Sequence, residues 1–378
     1  MNTFAEHFCL KDGRDNFFID QNRDWQLVLG SKKYKKSVDE MLEAAIASRR
    51  APRLVWVGDF GLGKTHHINY TYNKINEAPQ MPFKVIRMDL PDVQDNSEFN
   101  VLFERMVNEV GQNYFMKLLA AHVAANPNWL GTVTPTDVRK TLRQLALNED
   151  VADQAWDFLC GRKLSKDGKV QVGVSKLQLN DSEEYASVFL NIAHVIREQT
   201  EDKRVLLYLI DEVEGLAAVR KANYLNKWVL ALRKMLDVIE VGVILAVGSL
   251  SLQDIPELLL NGALVRRIGN ENYVMLEQYD ITEAKIFMED LLTQFIDPAK
   301  KALVEANLGL ASDSDYDSKL FPFKKDAFEA FCEHLVGDTA RAKPAQFLLK
   351  LHSTLSAAMK DGKQVIDRAY LEARGEWK

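Results

Sequence analysis

The chain has only three cysteines in 378 residues, Cys9, Cys160 and Cys332, far apart and with no histidine cluster nearby. That spacing suits neither a zinc site nor a disulfide framework, and a reducing compartment is expected. No apolar run approaches the roughly 18 residues of a membrane span. The opening "MNTFAEHFCLKDGRD" carries charges where a signal peptide needs an apolar stretch. A cytoplasmic protein without a membrane partner is the expectation. Positive charge is not in excess: 48 Lys and Arg against 54 Asp and Glu give a net charge of −6. An overall basic coat is thereby excluded, although a local basic surface is not. Internal repeats and low-complexity tails are lacking. So is any nuclease, protease or methyltransferase constellation, which leaves effector chemistry to a partner protein.

What is present is the balance of a folded chain, 47% hydrophobic and 27% charged, with room for two or three domains. "SVDEMLEAAIASRR" from Ser37 places Val38, Met41, Leu42 and Ala45 at helical spacing behind a capping serine. Five apolar runs then read as strands: "RLVWV", "FKVIRMDL" (83 to 90), "VLLYLI" (205 to 210), "VGVILAVG" (241 to 248) and "NYVMLE" from 272. Helical text alternates with them, which predicts a parallel sheet covered on both faces, the α/β class. Residues 99 to 200 interrupt the alternation with a mostly helical insertion, in which Asp167-Gly168 has the chemistry of a hairpin turn. From Tyr279 onward the text is helical. The expected division is an N-terminal extension over 1–30, a nucleotide-binding domain over 31–278 and a C-terminal helical lid over 279–378.

"GDFGLGKTHH" (58 to 67) follows the first strand and opens a helix. It fits G-x-x-x-x-G-K-[ST] at Gly58, Gly63, Lys64 and Thr65. Glycines let backbone N–H groups converge on phosphate oxygens, the lysine reaches the β- and γ-phosphates, and the threonine hydroxyl ligates Mg²⁺. Gly58, Asp59, Phe60, Gly61, Leu62, Gly63, Lys64, Thr65 and His66 form the candidate cradle. The alternative is an ordinary glycine turn, which the flanking strand and helix disfavour. "VLLYLIDEVEG" places Asp211 and Glu212 at the C-terminal end of an apolar strand, where ligands of open α/β sheets bind. Asp211 is the candidate metal ligand and Glu212 the group that polarises water, with Glu214 next in line. The alternative is a strand ended by two solvated acids.

These motifs resemble the AAA+ ATPases, within them the branch of origin-recognition and Cdc6-type initiators. The resemblance covers roughly residues 30 to 350 and rests on "GDFGLGKT", "LLYLIDE", "VILAVGS" and "LVRRIGNENYVMLEQYDITEAKIFMEDLL". It implies ATP and Mg²⁺ as cofactors, a polar sensor at Ser249, a finger at Arg266 or Arg267 that reaches a neighbouring copy, and a second sensor at Arg341 in "GDTARAKPAQFLLKL". Family members often read G-[DN]-x-R there, and this chain has an extra residue between Asp338 and Arg341. For the arginine pair, a solvated helix end is the competing account. A looser likeness, carried by "WDFLCGRKLSKDGKVQVGVSKLQLNDSEEYASVFLNIAHVIRE" before "LIDEVEG", is to ATP-binding proteins of BREX-type phage-defence systems.

Several residues are set aside. His66 and His67 are expected to pack or face solvent, without a catalytic role; "SDSDYDS" lacks the glycine and terminal glutamate of a calcium loop; Trp129, Trp156 and Trp228 sit at core-like helical positions. The expectation is an ATP-hydrolysing switch or motor that forms homo-oligomers with ATP, engages an effector protein and acts on DNA, in defence, transposition or replication. The competing class is a nucleotide-dependent signalling or scaffold protein that never touches DNA. Basic "RRAPR" and "GRKLSKDGK" favour the first; the lack of a winged helix after the lid favours the second.

Overall fold

The computed structural model describes residues 3–20, 23–27, 32–48, 50–78, 81–337 and 341–374. The chain divides into two compact units, 38–59 with 68–276, and 1–37 with 60–67 and 277–378. Among the described residues no helix is long and apolar enough to cross a membrane.

The larger unit is built on five strands, β1 (Arg53–Gly58), β2 (Phe83–Asp89), β3 (Val205–Asp211), β4 (Val241–Gly248) and β5 (Tyr273–Met275). Their order is β2-β3-β4-β1-β5 and every pairing is parallel. All seven residues of β3 are buried, and so are the first seven of β4, as the unbroken apolar runs require when both faces of a sheet are covered. The register aligns Gly58 with Gly248 and Asp89 with Asp211, so these strands end at one edge of the sheet.

Helix α1 (Lys64–Glu77) follows the glycine loop. The described residues of the insertion between β2 and β3 form helices joined by loops, with no strand, and include α2 (Thr136–Leu147) and α3 (Lys166–Val172). The hairpin expected at Asp167-Gly168 is absent. The Ser165 hydroxyl accepts the Gly168 N–H at 3.0 Å, and this N-cap starts α3 where turn chemistry alone reads as a loop. Helix α4 (Ala222–Asp237) precedes β4, and α5 (Gly262–Ile268) precedes β5.

The smaller unit has its own core. Asp280 and Glu283 form a capping box at the start of α6 (Ile281–Phe295), whose Phe287, Leu291 and Phe295 are buried with Phe331, Phe347 and Leu351. Helix α7 (Pro344–Lys360) supplies the last two. The N-terminal segment is part of this core: Phe17 stacks on Phe295 at 6.1 Å, the Arg14 guanidinium lies 3.4 Å from the Phe295 ring centroid, and Leu10 bridges to Ile296.

One glycine of the sheet is fixed by close approach. A Cβ on Gly242, at the start of β4, would lie 2.4 Å from the Pro52 carbonyl oxygen and 2.8 Å from the Ala51 Cβ. Because the obstacle is backbone, Gly242→Ala is expected to destabilise the protein by about 1–3 kcal/mol. Urea unfolding at constant m-value would measure it, and an unchanged midpoint would show that the Pro52 segment yields freely.

Candidate active site

β1 ends at Gly58, and the chain turns through Asp59, Phe60, Gly61, Leu62 and Gly63 before α1 begins at Lys64. Gly61 and Gly63 take φ of +84° and +88°, a region that costs other residues energy and lets successive N–H groups point into one concavity. Leu62 is buried at 6% exposure and pins the loop, whereas Phe60 is 86% exposed. Two histidines brace the loop from below. The His67 backbone N–H and ring Nδ1–H both donate to the Gly63 carbonyl, at 3.0 and 2.8 Å, and burial pushes the imidazole pKa down to about 4. His66 Nε2–H donates to the Leu27 carbonyl at 2.9 Å, and burial lowers its pKa as well. Both rings are therefore neutral braces.

Beside the loop lies a cavity of about 290 Å³. Ile19, Leu27, Tyr279, Phe287 and Leu348 form its apolar wall, and Gly61 to His67 its polar one. The first turn of α7 closes on the loop from the same unit: the Ala345 N–H donates to the Gly61 carbonyl at 3.3 Å, and a Cβ on Gly61 would lie 2.9 Å from that of Ala345. Nothing in the sequence marks Ala345, because a backbone donor leaves no residue-type signature. Arg341 is 56% exposed, with its guanidinium 4.0 Å from the Glu277 carboxylate. Asp338, on which the register of the second sensor depends, lies outside the described residues.

The acids sit at the strand ends of the larger unit. Asp211 is 3% exposed, and its Oδ1 accepts the Glu212 N–H at 2.9 Å. No cation pairs with Asp211 among the described residues. Glu212 is exposed and takes φ of +58°, a left-handed backbone that is strained for any residue with a side chain. Glu214 turns back to the sheet, where it accepts the Gly248 N–H at 2.6 Å. Ser249 donates its own N–H to the Gly58 carbonyl at 3.0 Å, which sets it at the root of the glycine loop. Its hydroxyl donates to the Ser251 carbonyl at 2.8 Å.

The arginine pair lies at the opposite edge of the sheet. The Arg267 Nε and a terminal nitrogen donate to the two Asp237 carboxylate oxygens at 2.7 and 3.2 Å, and its carbonyl accepts from Arg53, the first residue of β1, at 2.9 Å. The Arg267 guanidinium in turn holds the Asp237 carboxyl below its ordinary pKa. Arg266 is exposed. β1 spans about 16 Å from Arg53 to Gly58 at roughly 3.3 Å per residue. Neither arginine is thus at the edge where the glycine loop of its own chain begins.

No family model matches the chain. No curated protein matches it either. Among solved structures it is similar to a Cdc6 protein of Pyrobaculum aerophilum and to the ORC2 protein of Aeropyrum pernix in ADPNP and ADP complexes. Each has a TM-score of 0.46 and 10% identity over 92% of this chain and 68% of the other. A Walker-type ATPase of Pyrococcus abyssi gives a TM-score of 0.32 and 12% identity over 92% of this chain and 78% of that one. At such scores these likenesses carry no functional argument. The BREX-type likeness gains nothing from them and rests on its motifs alone.

Proposed function

We propose that this chain is a P-loop ATPase of the AAA+ type that binds ATP with Mg²⁺, hydrolyses it, assembles with copies of itself and acts on DNA. The observation that carries the reading is a buried carboxylate, Asp211, with no paired cation among the described residues, in a chain whose first strand runs directly into a G-x-x-x-x-G-K-T loop. A buried charge is costly unless paired or metal-bound. The donor set of a carboxylate and the Thr65 hydroxyl suits Mg²⁺, a hard cation that prefers oxygen. Mg²⁺ bound with ATP neutralises charge on the β- and γ-phosphate oxygens. In this reading the loop N–H groups and Lys64 bind phosphate, Thr65 and Asp211 hold the metal, Glu212 orients and polarises the attacking water, and Ser249 and Arg341 sense the γ-phosphate. The apolar cavity walled by Tyr279 and Phe287 suits the face of a base.

The test is ligand-induced stabilisation. ATP with Mg²⁺ at a hundred times its Kd raises stability by about 2.7 kcal/mol. Lys64→Ala removes a charge-assisted contact of about 1.5–3 kcal/mol, so affinity is expected to fall about a hundredfold while the ligand-free melting temperature stays put. An undiminished ATP shift in the variant would remove Lys64 from the site.

A further inference from the structure

Many cations of the larger unit have a carboxylate partner, as in Arg105–Glu109, Arg197–Glu240, Lys227–Glu98 and Arg267–Asp237. One face of the helical insertion gathers six that do not. Arg139, Lys140 and Arg143 on α2, Lys163 before α3, and Lys166 and Lys169 on α3 have no carboxylate within ion-pair distance among the described residues. The buried positions of α2 are Asp137, Val138, Thr141, Leu142 and Leu145, so at 100° per residue its three cations share one outward arc with Thr136 and Leu147. Gly168 and Val172 are the buried residues of α3, which turns Lys166 and Lys169 outward together. Two contacts join the helices. The Lys140 Nζ donates to the Gly173 carbonyl at the C-cap of α3 at 2.8 Å, and the buried Asp137 carboxylate accepts the Ser175 N–H at 3.0 Å and the Ser175 hydroxyl at 2.5 Å. Against six cations the exposed acids nearby are Asp167 on α3 and Glu149 and Asp150 on the turn after α2 that packs against both helices, in a chain whose net charge is −6.

We infer that the α2–α3 face of the insertion binds the phosphate backbone of duplex DNA without reading its sequence. The inference rests on the DNA-acting half of the proposed function and gives it a surface. Successive turns of α2 hold Arg139 and Arg143 about 6 Å apart along the axis, a spacing that lets each meet its own phosphate on a strand charged every 3.4 Å. Thr136, Ser165 and Gln171 are exposed around the cations and can hydrogen-bond phosphate oxygens. Exposed aromatic platforms are missing from the face, which argues against stacking on single-stranded bases. Its exposed large apolar residues are Val170 and Leu147, too few for the apolar centre of a stable protein interface.

Labelled duplex DNA of mixed sequence, titrated with the full chain at several salt concentrations, tests the assignment. Replacing Arg143, Lys166 and Lys169 by Glu is expected to weaken binding on the order of a hundredfold at 0.1 M salt and to cut the log–log salt slope by about 2.7, since each phosphate contact contributes about 0.9. The matching Gln variant should show the same loss of slope, and Lys319→Glu with Lys363→Glu, on the other unit, should show none. A folded, ATP-stabilised Glu variant that binds duplex like the wild type overturns the surface. Wild-type protein that hydrolyses ATP yet ignores duplex at low salt overturns the action on DNA and leaves the ATPase reading standing. Poly-glutamate bound as tightly, with the same slope, would assign the face to an acidic protein instead.

Discussion

A Glu212→Gln variant is expected to bind ATP with Mg²⁺ as the wild type does and to hydrolyse it about 10²–10⁴-fold more slowly, the range for losing a general base. The amide keeps the size and hydrogen-bonding shape of the side chain but cannot polarise water. The structure separates Glu212 from its neighbour in the "DEVE" run. Glu214 is engaged, because its carboxylate accepts the Gly248 N–H at 2.6 Å, and a Cβ on Gly248 would lie 2.7 Å from the same carboxylate. Glu212 is exposed, and its strained φ of +58° holds it at the strand end directly after Asp211. Strain of about 1–3 kcal/mol at such a residue is tolerated where the surroundings fix it. Glu214→Gln retains a carbonyl that can still accept the Gly248 N–H, so its turnover is expected to stay close to wild type. Single-turnover hydrolysis with pre-bound ATP separates the two residues from any effect on affinity. If Glu214→Gln stops turnover and Glu212→Gln does not, the catalytic carboxylate is the one tied to β4.

The parts of the candidate site that were legible in the sequence are the local ones. Gly58 to Thr65 declare themselves because strand, turn and helix follow within a dozen residues, and each glycine or hydroxyl has a local conformational or chemical reason. Asp211 is legible because a run of six apolar residues, Val205 to Ile210, ends on it. The five-stranded parallel sheet, the helical insertion and the C-terminal helices that the residue pattern predicts are all present. What the sequence could not show is long-range. The strand order β2-β3-β4-β1-β5 depends on pairings between distant segments. The N-terminal Phe17 reaches its partner Phe295 across most of the chain, so an expected extension proves to be core. Ser165 capped a helix where Asp167-Gly168 read as a turn, since one side-chain bond to the Gly168 N–H outweighs a dipeptide preference. The basic run "GRKLSKDGK" was visible, but its continuation onto Arg139, Lys140 and Arg143 required the contact between α2 and α3.

The same long-range information divides Arg266 from Arg267, which sequence alone leaves equivalent. Arg267 is 24% exposed, bidentate to Asp237, and donates a further bond to the Ala263 carbonyl at 3.0 Å. To act on a phosphate it would have to leave three acceptors. Arg267→Ala is accordingly expected to lower stability by about 1 kcal/mol, the upper end for a partly exposed ion pair, and to leave hydrolysis by intact assemblies largely unchanged. Arg266 is exposed at the sheet edge opposite the root of the glycine loop, which makes it a candidate to reach the nucleotide of a neighbouring copy. Arg266→Ala is expected to keep the wild-type melting temperature and ATP affinity and to lose on the order of 10³-fold in hydrolysis, the magnitude associated with a finger supplied in trans. Mixing makes the assignment decisive. An Arg266→Ala chain retains Glu212, and a Glu212→Gln chain retains Arg266, so a mixed assembly contains some interfaces with both groups in place and should recover activity that neither variant has alone. The rate per wild-type chain should also fall on dilution as assemblies dissociate. A rate per chain that is constant across dilution, together with no recovery on mixing, would return Arg266 to the status of a solvated helix end and leave a monomeric ATPase.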